Sequence, residues 1–167
     1  QGRDNPASHE LVSIIDQAKA DIRSFLGAAK GPVFVGESGT ELLFRLISVA
    51  VLEAPEGGDV VGSTLEHPAS VSACARWAKI ANRNFVRVPH NNDTGTVTAE
   101  DYRAFVPRDT RVATILHTSP VTGMAVDVAG IAKLIRDVSP DCYIIVDGIQ
   151  HAAHGGLDVD SYGIDGY

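Results

Sequence analysis

Asp147 closes a run of β-branched and aromatic residues, Cys142-Tyr-Ile-Ile-Val146, and is followed at once by Gly148. Such a run has the composition of a strand buried on both faces of a parallel sheet. A carboxylate at its carboxyl end points into the crevice where open α/β sheets take their ligands. Gln150 follows at i+3, so one helical turn would bring both side chains to the same small volume. Asp147 is equally well placed simply to cap a following helix. Two further junctions have the same form. Gly36-Glu-Ser-Gly-Thr40 lies between an apolar stretch and a helical pattern, where backbone N–H groups, a helix dipole and the hydroxyls of Ser38 and Thr40 could converge on an anion or merely cap the helix. It fits neither the phosphate-binding loop of nucleotide hydrolases nor the dinucleotide fingerprint. His67 sits immediately before Pro68, a first-turn helix residue, at the end of Asp59-Val-Val-Gly62 and its loop; position alone leaves it a candidate ligand contact or a structural histidine.

The elements that must position these residues alternate. Ser8 to Leu26 carries Leu11, Ile14, Ile15, Ala18, Ile22, Phe25 and Leu26 on one helical face, started by Asn5-Pro6 and stopped by Gly27. Pro32-Val-Phe-Val35 reads as a short strand, and Glu41 to Glu53 as the second helix. A third helix runs from Pro68 to about Ala81. Asn84 to Val88 and Arg111 to His117 read as strands, with a short helix from Thr98 to about Val106 between them. Asp127 caps a helix whose inner face is Val128, Ile131, Ala132 and Ile135, and Ile164 to Tyr167 reads as the start of one more strand. This order calls for an α/β fold, a mostly parallel sheet with helices on both faces. Right-handed crossovers would bring loops 36–40, 63–67, 117–123 and 147–151 to one rim.

The totals narrow the function classes. At 167 residues the chain suffices for one α/β domain, and 44% hydrophobic with 21% charged residues is ordinary for a globular protein. A net charge of −7 argues against nucleic acid or an anionic membrane as partner. No apolar run spans a bilayer, and no signal-peptide pattern opens the chain. Cys74 and Cys142 read as reduced core thiols, which points to the cytoplasm, and no metal-ligand spacing is present. The only methionine is Met124, so Gln1 reads as the start of a processed or partial chain.

Ser38-Gly-Thr-Glu41, Glu66-His-Pro-Ala-Ser70, His117-Thr-Ser-Pro-Val-Thr-Gly123 and Val146-Asp-Gly-Ile-Gln150, with the trailing His154, Asp158 and Ile164-Asp165, together resemble the large domain of the aminotransferase class V family. This is the pyridoxal-phosphate group that includes cysteine desulfurases and selenocysteine lyases. The resemblance runs from about Asn5 to Tyr167, so residues 1–167 read as one incomplete large domain of the aspartate-aminotransferase-like fold. It implies pyridoxal 5'-phosphate as cofactor, an amino-acid substrate, a homodimer and, in the desulfurase branch, a sulfur acceptor. It implies that Asp147 pairs with the cofactor's pyridinium nitrogen, that Gln150 donates to its phenolic oxygen, and that His67 lies on the ring face and can shuttle a proton. Ser38, Gly39 and Thr40 would hold the phosphate.

Two departures stand against the family pattern. Pro120 occupies a position that is often asparagine and offers no donor, so Ser119 or a water would take that role. The family's lysine and its small C-terminal domain belong past Tyr167. None of Lys19, Lys30, Lys79 and Lys133 follows the expected motif, nor does Cys74 or Cys142 match the desulfurase cysteine, so the stretch alone is expected to be inactive. The competing hypotheses are a non-catalytic scaffold of the same fold, which Pro120 favours, and an unrelated doubly wound phosphate- or nucleotide-binding domain.

Overall fold

The computed structural model describes residues 4–167. It contains five helices, α1 (Pro6–Leu26), α2 (Gly39–Glu53), α3 (Pro68–Ile80), α4 (Ala99–Arg103) and α5 (Val128–Val138), and four strands, β1 (Val60–Ser63), β2 (Phe85–Val88), β3 (Val112–Leu116) and β4 (Tyr143–Asp147). Two 3-10 turns, His151–Ala153 and Val159–Tyr162, follow β4. The strands form one all-parallel sheet in the order β2-β1-β3-β4. The chain goes from β1 outward to β2 and then returns to the other side of β1, so the strand order reverses between β1 and β3. In an open parallel sheet the ligand crevice lies at that reversal, beyond the carboxyl ends of the strands.

The two faces separate residue by residue, because successive side chains on a strand point opposite ways. Val61, Ala113, Ile144 and Val146 pack with Tyr102 of α4 and Val128, Ile131 and Ile135 of α5. Their neighbours Val60, Val112 and Ile145 pack with Ile47 and Val51 of α2 and Ala73, Cys74 and Ala78 of α3. Helices therefore cover both faces, and every residue of β3 is buried.

Helix starts follow side-chain capping. Ser38 Oγ accepts the Glu41 N–H at α2, Asp127 accepts the Gly130 N–H at α5, and Thr98 with Asp101 forms a reciprocal capping box at α4. Gly27 ends α1 in the left-handed region at φ 65°.

Three expectations change. Residues 32–35 form no strand: with no neighbouring strand to pair with, an apolar run has nowhere to place its backbone hydrogen bonds, and Phe34 is 74% exposed. The last segment makes a single parallel bridge, Gly166 to Ile145, in place of a strand start. Helix α1 forms, yet none of its residues is buried, and Leu11 and Phe25 are 58% and 62% exposed. Among the described residues no helix is long and apolar enough to cross a membrane, and no group of three or more His, Cys, Asp or Glu side chains could hold a metal ion.

Candidate active site

At the rim, Thr40, Leu43, His67, Ala69, Leu116, Pro120, Asp147, Ile149 and Gln150 enclose a cleft of about 70 Å³. Thr40 comes from the start of α2, His67 from the residue before α3, Pro120 from the loop after β3, and Asp147 from the end of β4. The four loops therefore converge as the alternation of elements requires. Asp147 is the floor. It is 6% exposed, it pairs in register with Leu116, and its Oδ1 accepts the Ile149 N–H at 3.2 Å. Burial pushes its carboxyl above the ordinary range, and the Ile149 hydrogen bond and the nearby His67 pull the other way. His67 caps α3, its Nδ1 accepting the Ala69 N–H at 3.2 Å, and its ring is exposed to the cleft.

The start of α2 offers an anion a partial site. Ser38 satisfies Glu41 through its hydroxyl and Leu42 through its carbonyl, so the N–H groups of Gly39 and Thr40 remain for a ligand or water. Ile149 lies across this point: a Cβ on Gly39 would come 2.2 Å from Ile149 Cδ1. The exposed Ile149 side chain rests against Gly39 and narrows the place where a phosphate would sit.

Ser119 is not among the residues that line the cleft. It is buried, and its Oγ accepts the N–H groups of Val121 and Thr122 at 3.2 Å each, which folds the loop that presents Pro120. No lysine lines the cleft either. Lys30, Lys79 and Lys133 are exposed, with Lys133 paired to Asp137, and Lys19 lies half-buried on α1.

Behind the Asp147 turn is a ring cluster that pattern reading misses. His117 and His151 stack with centroids 3.4 Å apart and planes 12° apart, while Tyr162 and Tyr167 meet His117 edge-on. His117 Nδ1 shares a 3.0 Å hydrogen bond with the Tyr167 hydroxyl, and His151 Nδ1 shares one of 2.8 Å with Thr118 Oγ1. Burial and the adjacent His151 hold the His117 imidazole down at about 4. The Tyr167 ring lies against Gly148, where any Cβ would fall 2.1 Å from it. His117 also donates its backbone N–H to the Asp147 carbonyl at 3.0 Å. The cluster therefore grips the turn 147–151 from the side opposite the cleft. Its members are up to 50 residues apart, so only the histidine and tyrosine content of 117, 151, 162 and 167 could have signalled it.

Comparison with known proteins agrees with this layout. The chain is 26% identical over 169 residues to the cysteine desulfurase-like protein ustD of Aspergillus flavus, covering 96% of this chain and 37% of that protein. It is 27% identical over 150 residues to a probable cysteine desulfurase of Halalkalibacterium halodurans, covering 89% of this chain and 36% of the relative. The chain thus spans less than two-fifths of the length of these relatives. Among solved structures it superposes on the Escherichia coli cysteine desulfurase CsdA with a TM-score of 0.81 at 21% identity, over 99% of this chain and 41% of that one. It superposes on a NifS-like protein with a TM-score of 0.87 at 17% identity, over 97% and 44%. The aminotransferase class-V family model matches residues 4–167, and the chain belongs to that family.

Proposed function

We propose that this chain is the cofactor-binding portion of a pyridoxal-phosphate enzyme acting on an amino acid, with cleavage of a carbon–sulfur bond as the favoured reaction and amino transfer as the second choice. The observation that carries the reading is Asp147, a buried carboxylate on the floor of a cleft at the strand-order reversal, facing His67. A carboxylate there is costly unless it meets a positive partner, and a protonated pyridine nitrogen is such a partner. Its arrival would bring the raised Asp147 pKa down again and keep the ring proton in place.

The donor set suits the group. Asp147 would hold the ring nitrogen, His67 would cover the ring face, and Gln150 would donate to the phenolic oxygen. The N–H groups of Gly39 and Thr40, with the Ser38 and Thr40 hydroxyls, would take the phosphate. Once bound, the cofactor supplies an electron sink for negative charge at the substrate's α-carbon. His67, exposed to the cleft with Nδ1 engaged by Ala69, has Nε2 left to move a proton at that face. The volume fits less well: about 70 Å³ is below the several hundred Å³ of ordinary small-molecule sites. Ile149 is the exposed side chain whose rotation would enlarge it.

The name of the relatives makes cysteine the first substrate to try; a homodimer and a sulfur acceptor belong to this proposal on the same resemblance, and a cytoplasmic location on the reading of Cys74 and Cys142 as reduced core thiols. A second reading, a non-catalytic scaffold of the same fold, is favoured by Pro120 in the cleft wall and by Ile149 across Gly39. The two are separated by the protein isolated from its source. The enzyme reading predicts a visible absorbance band that borohydride fixes onto a lysine, and sulfide release from cysteine. A protein with neither band nor turnover after incubation with excess pyridoxal phosphate is the scaffold.

A further inference from the structure

The gap at the strand-order reversal is bridged by one side chain. Strands β1 and β3 pair only at Val60–Val112 and Val61–Ala113. Beyond that point β1 stays with β2 as far as Ser63–Val88, and β3 stays with β4 as far as Leu116–Asp147, so the two halves of the sheet part. Leu116, the last residue of β3, donates its N–H across the opening to Oε1 of Glu66 at 3.0 Å, and Ser63 Oγ donates to the same oxygen at 3.1 Å. Gly62 leaves the room: a Cβ there would come 2.8 Å from Thr114 Oγ1 and 3.4 Å from Glu66 Cγ. The other oxygen, Oε2, is buried without a partner, as are the hydroxyls of Tyr102 and Ser70.

We propose that Glu66 is the positioning residue of this site: its carboxyl joins the His67 loop to the end of β3 and so sets where the His67 ring stands relative to Asp147. Glu66 touches no reacting atom. It acts through its neighbour His67 on one side and through Leu116, the register partner of Asp147, on the other. The titratable groups that face it are Cys74 on α3, Tyr102 on α4 and Asp147 on β4, and none of them brings a positive charge. Burial accordingly raises its carboxyl from 4.5 to about 7, so the bridge changes charge near neutral pH. The link to catalysis rests on the cofactor reading above, and the positioning itself does not.

The test is NMR on the intact protein, comparing wild type with Glu66→Gln, which keeps the acceptor oxygen, and Glu66→Leu, which removes it. In wild type the Leu116 amide shift should inflect near pH 7, and in Glu66→Gln that inflection should vanish while amide protection and the His67 ring signals stay in place. In Glu66→Leu the Leu116 amide should lose protection and the His67 ring signals should move. Binding of pyridoxamine 5'-phosphate should then weaken about tenfold, the equivalent of one lost hydrogen bond, while Glu66→Gln binds within about twofold of wild type. Unchanged Leu116 protection and His67 signals in Glu66→Leu would overturn the proposal. If that variant fails to fold, a wild-type Leu116 amide that exchanges without protection overturns it alone, because its N–H would then not be held by Glu66. Failure of every protein to bind the ligand would sink the cofactor reading and leave the NMR comparison to decide Glu66.

Discussion

Replacing His117 by phenylalanine tests the ring cluster behind the Asp147 turn with a sign that depends on pH. The imidazole is held neutral, near 4 in the folded protein against 6.5 when free. A depressed histidine pKa contributes stability that is fully present above 6.5 and is lost as pH falls from 6.5 through 4. The shift corresponds to about 3 kcal/mol, halved to about 1.5 kcal/mol for solvent screening at the rim of the sheet. Phenylalanine keeps a flat face for His151 but has no proton to gain and no acceptor for the Tyr167 hydroxyl. At pH 7 the variant should therefore be less stable by about 1 to 2 kcal/mol, the worth of a hydrogen bond and a stranded hydroxyl. At pH 4 that gap should shrink by about 1.5 kcal/mol, because only the wild type must then protonate a buried ring. Glu66 and Asp147 titrate in both proteins and drop out of the difference to first order. Urea unfolding followed by emission of Trp77, the single tryptophan, packed against Phe44, reads the gap at pH 7, 5.5 and 4. A gap that stays constant or widens on acidification would mean that burial does not hold the His117 ring neutral.

Three shorter tests address separate contacts. Gly148→Ala places a methyl 2.1 Å from the Tyr167 ring and should cost about 2 kcal/mol in thermal unfolding, with partial recovery when Tyr167→Ala is added; no loss in the single variant would mean the ring is not seated there. Ile149→Ala should tighten pyridoxamine 5'-phosphate binding about fivefold, by removing the roughly 1 kcal/mol needed to reorient that side chain; weaker binding would show that Ile149 contacts the ligand favourably. Glu66 has a folded pKa near 7 above its free value of 4.5, so wild type is most stable below 4.5 and loses up to about 3 kcal/mol as pH rises through 7. Glu66→Gln, locked neutral, should match wild type at pH 4.5 and exceed it at pH 8 in denaturant titrations; an equal deficit at both would contradict this.

The parallel sheet was legible because its inner strands are continuous apolar runs bounded by capping residues, and the rim followed from their alternation with helices. Pro32-Val-Phe-Val35 carried the same composition without a partner strand, and composition cannot report a missing neighbour. Among site residues, His67, Asp147 and Gln150 meet at the cleft because each follows the carboxyl end of a strand, and Thr40 joins them from the first turn of α2. Ser119 resembles them in sequence, but its hydroxyl is taken up by its own turn, a local competition that spacing does not reveal. Glu66 and Ile149 escaped a role for opposite reasons. A carboxylate is read as exposed by default, and an isoleucine as core, whereas here the acid is buried in the gap between strands and the aliphatic chain lies open across Gly39.

The proposed function rests on Asp147 making this cleft a site for a protonated pyridine phosphate. Calorimetric titration with pyridoxamine 5'-phosphate tests it directly, since that ligand has no aldehyde to react with exposed Lys30 or Lys79. Wild type should show one saturable site, and Asp147→Ala should lose about 30-fold or more in affinity, the scale of a buried charge pair broken on one side. Equal affinity in the two proteins, or no saturable binding in either, would contradict it.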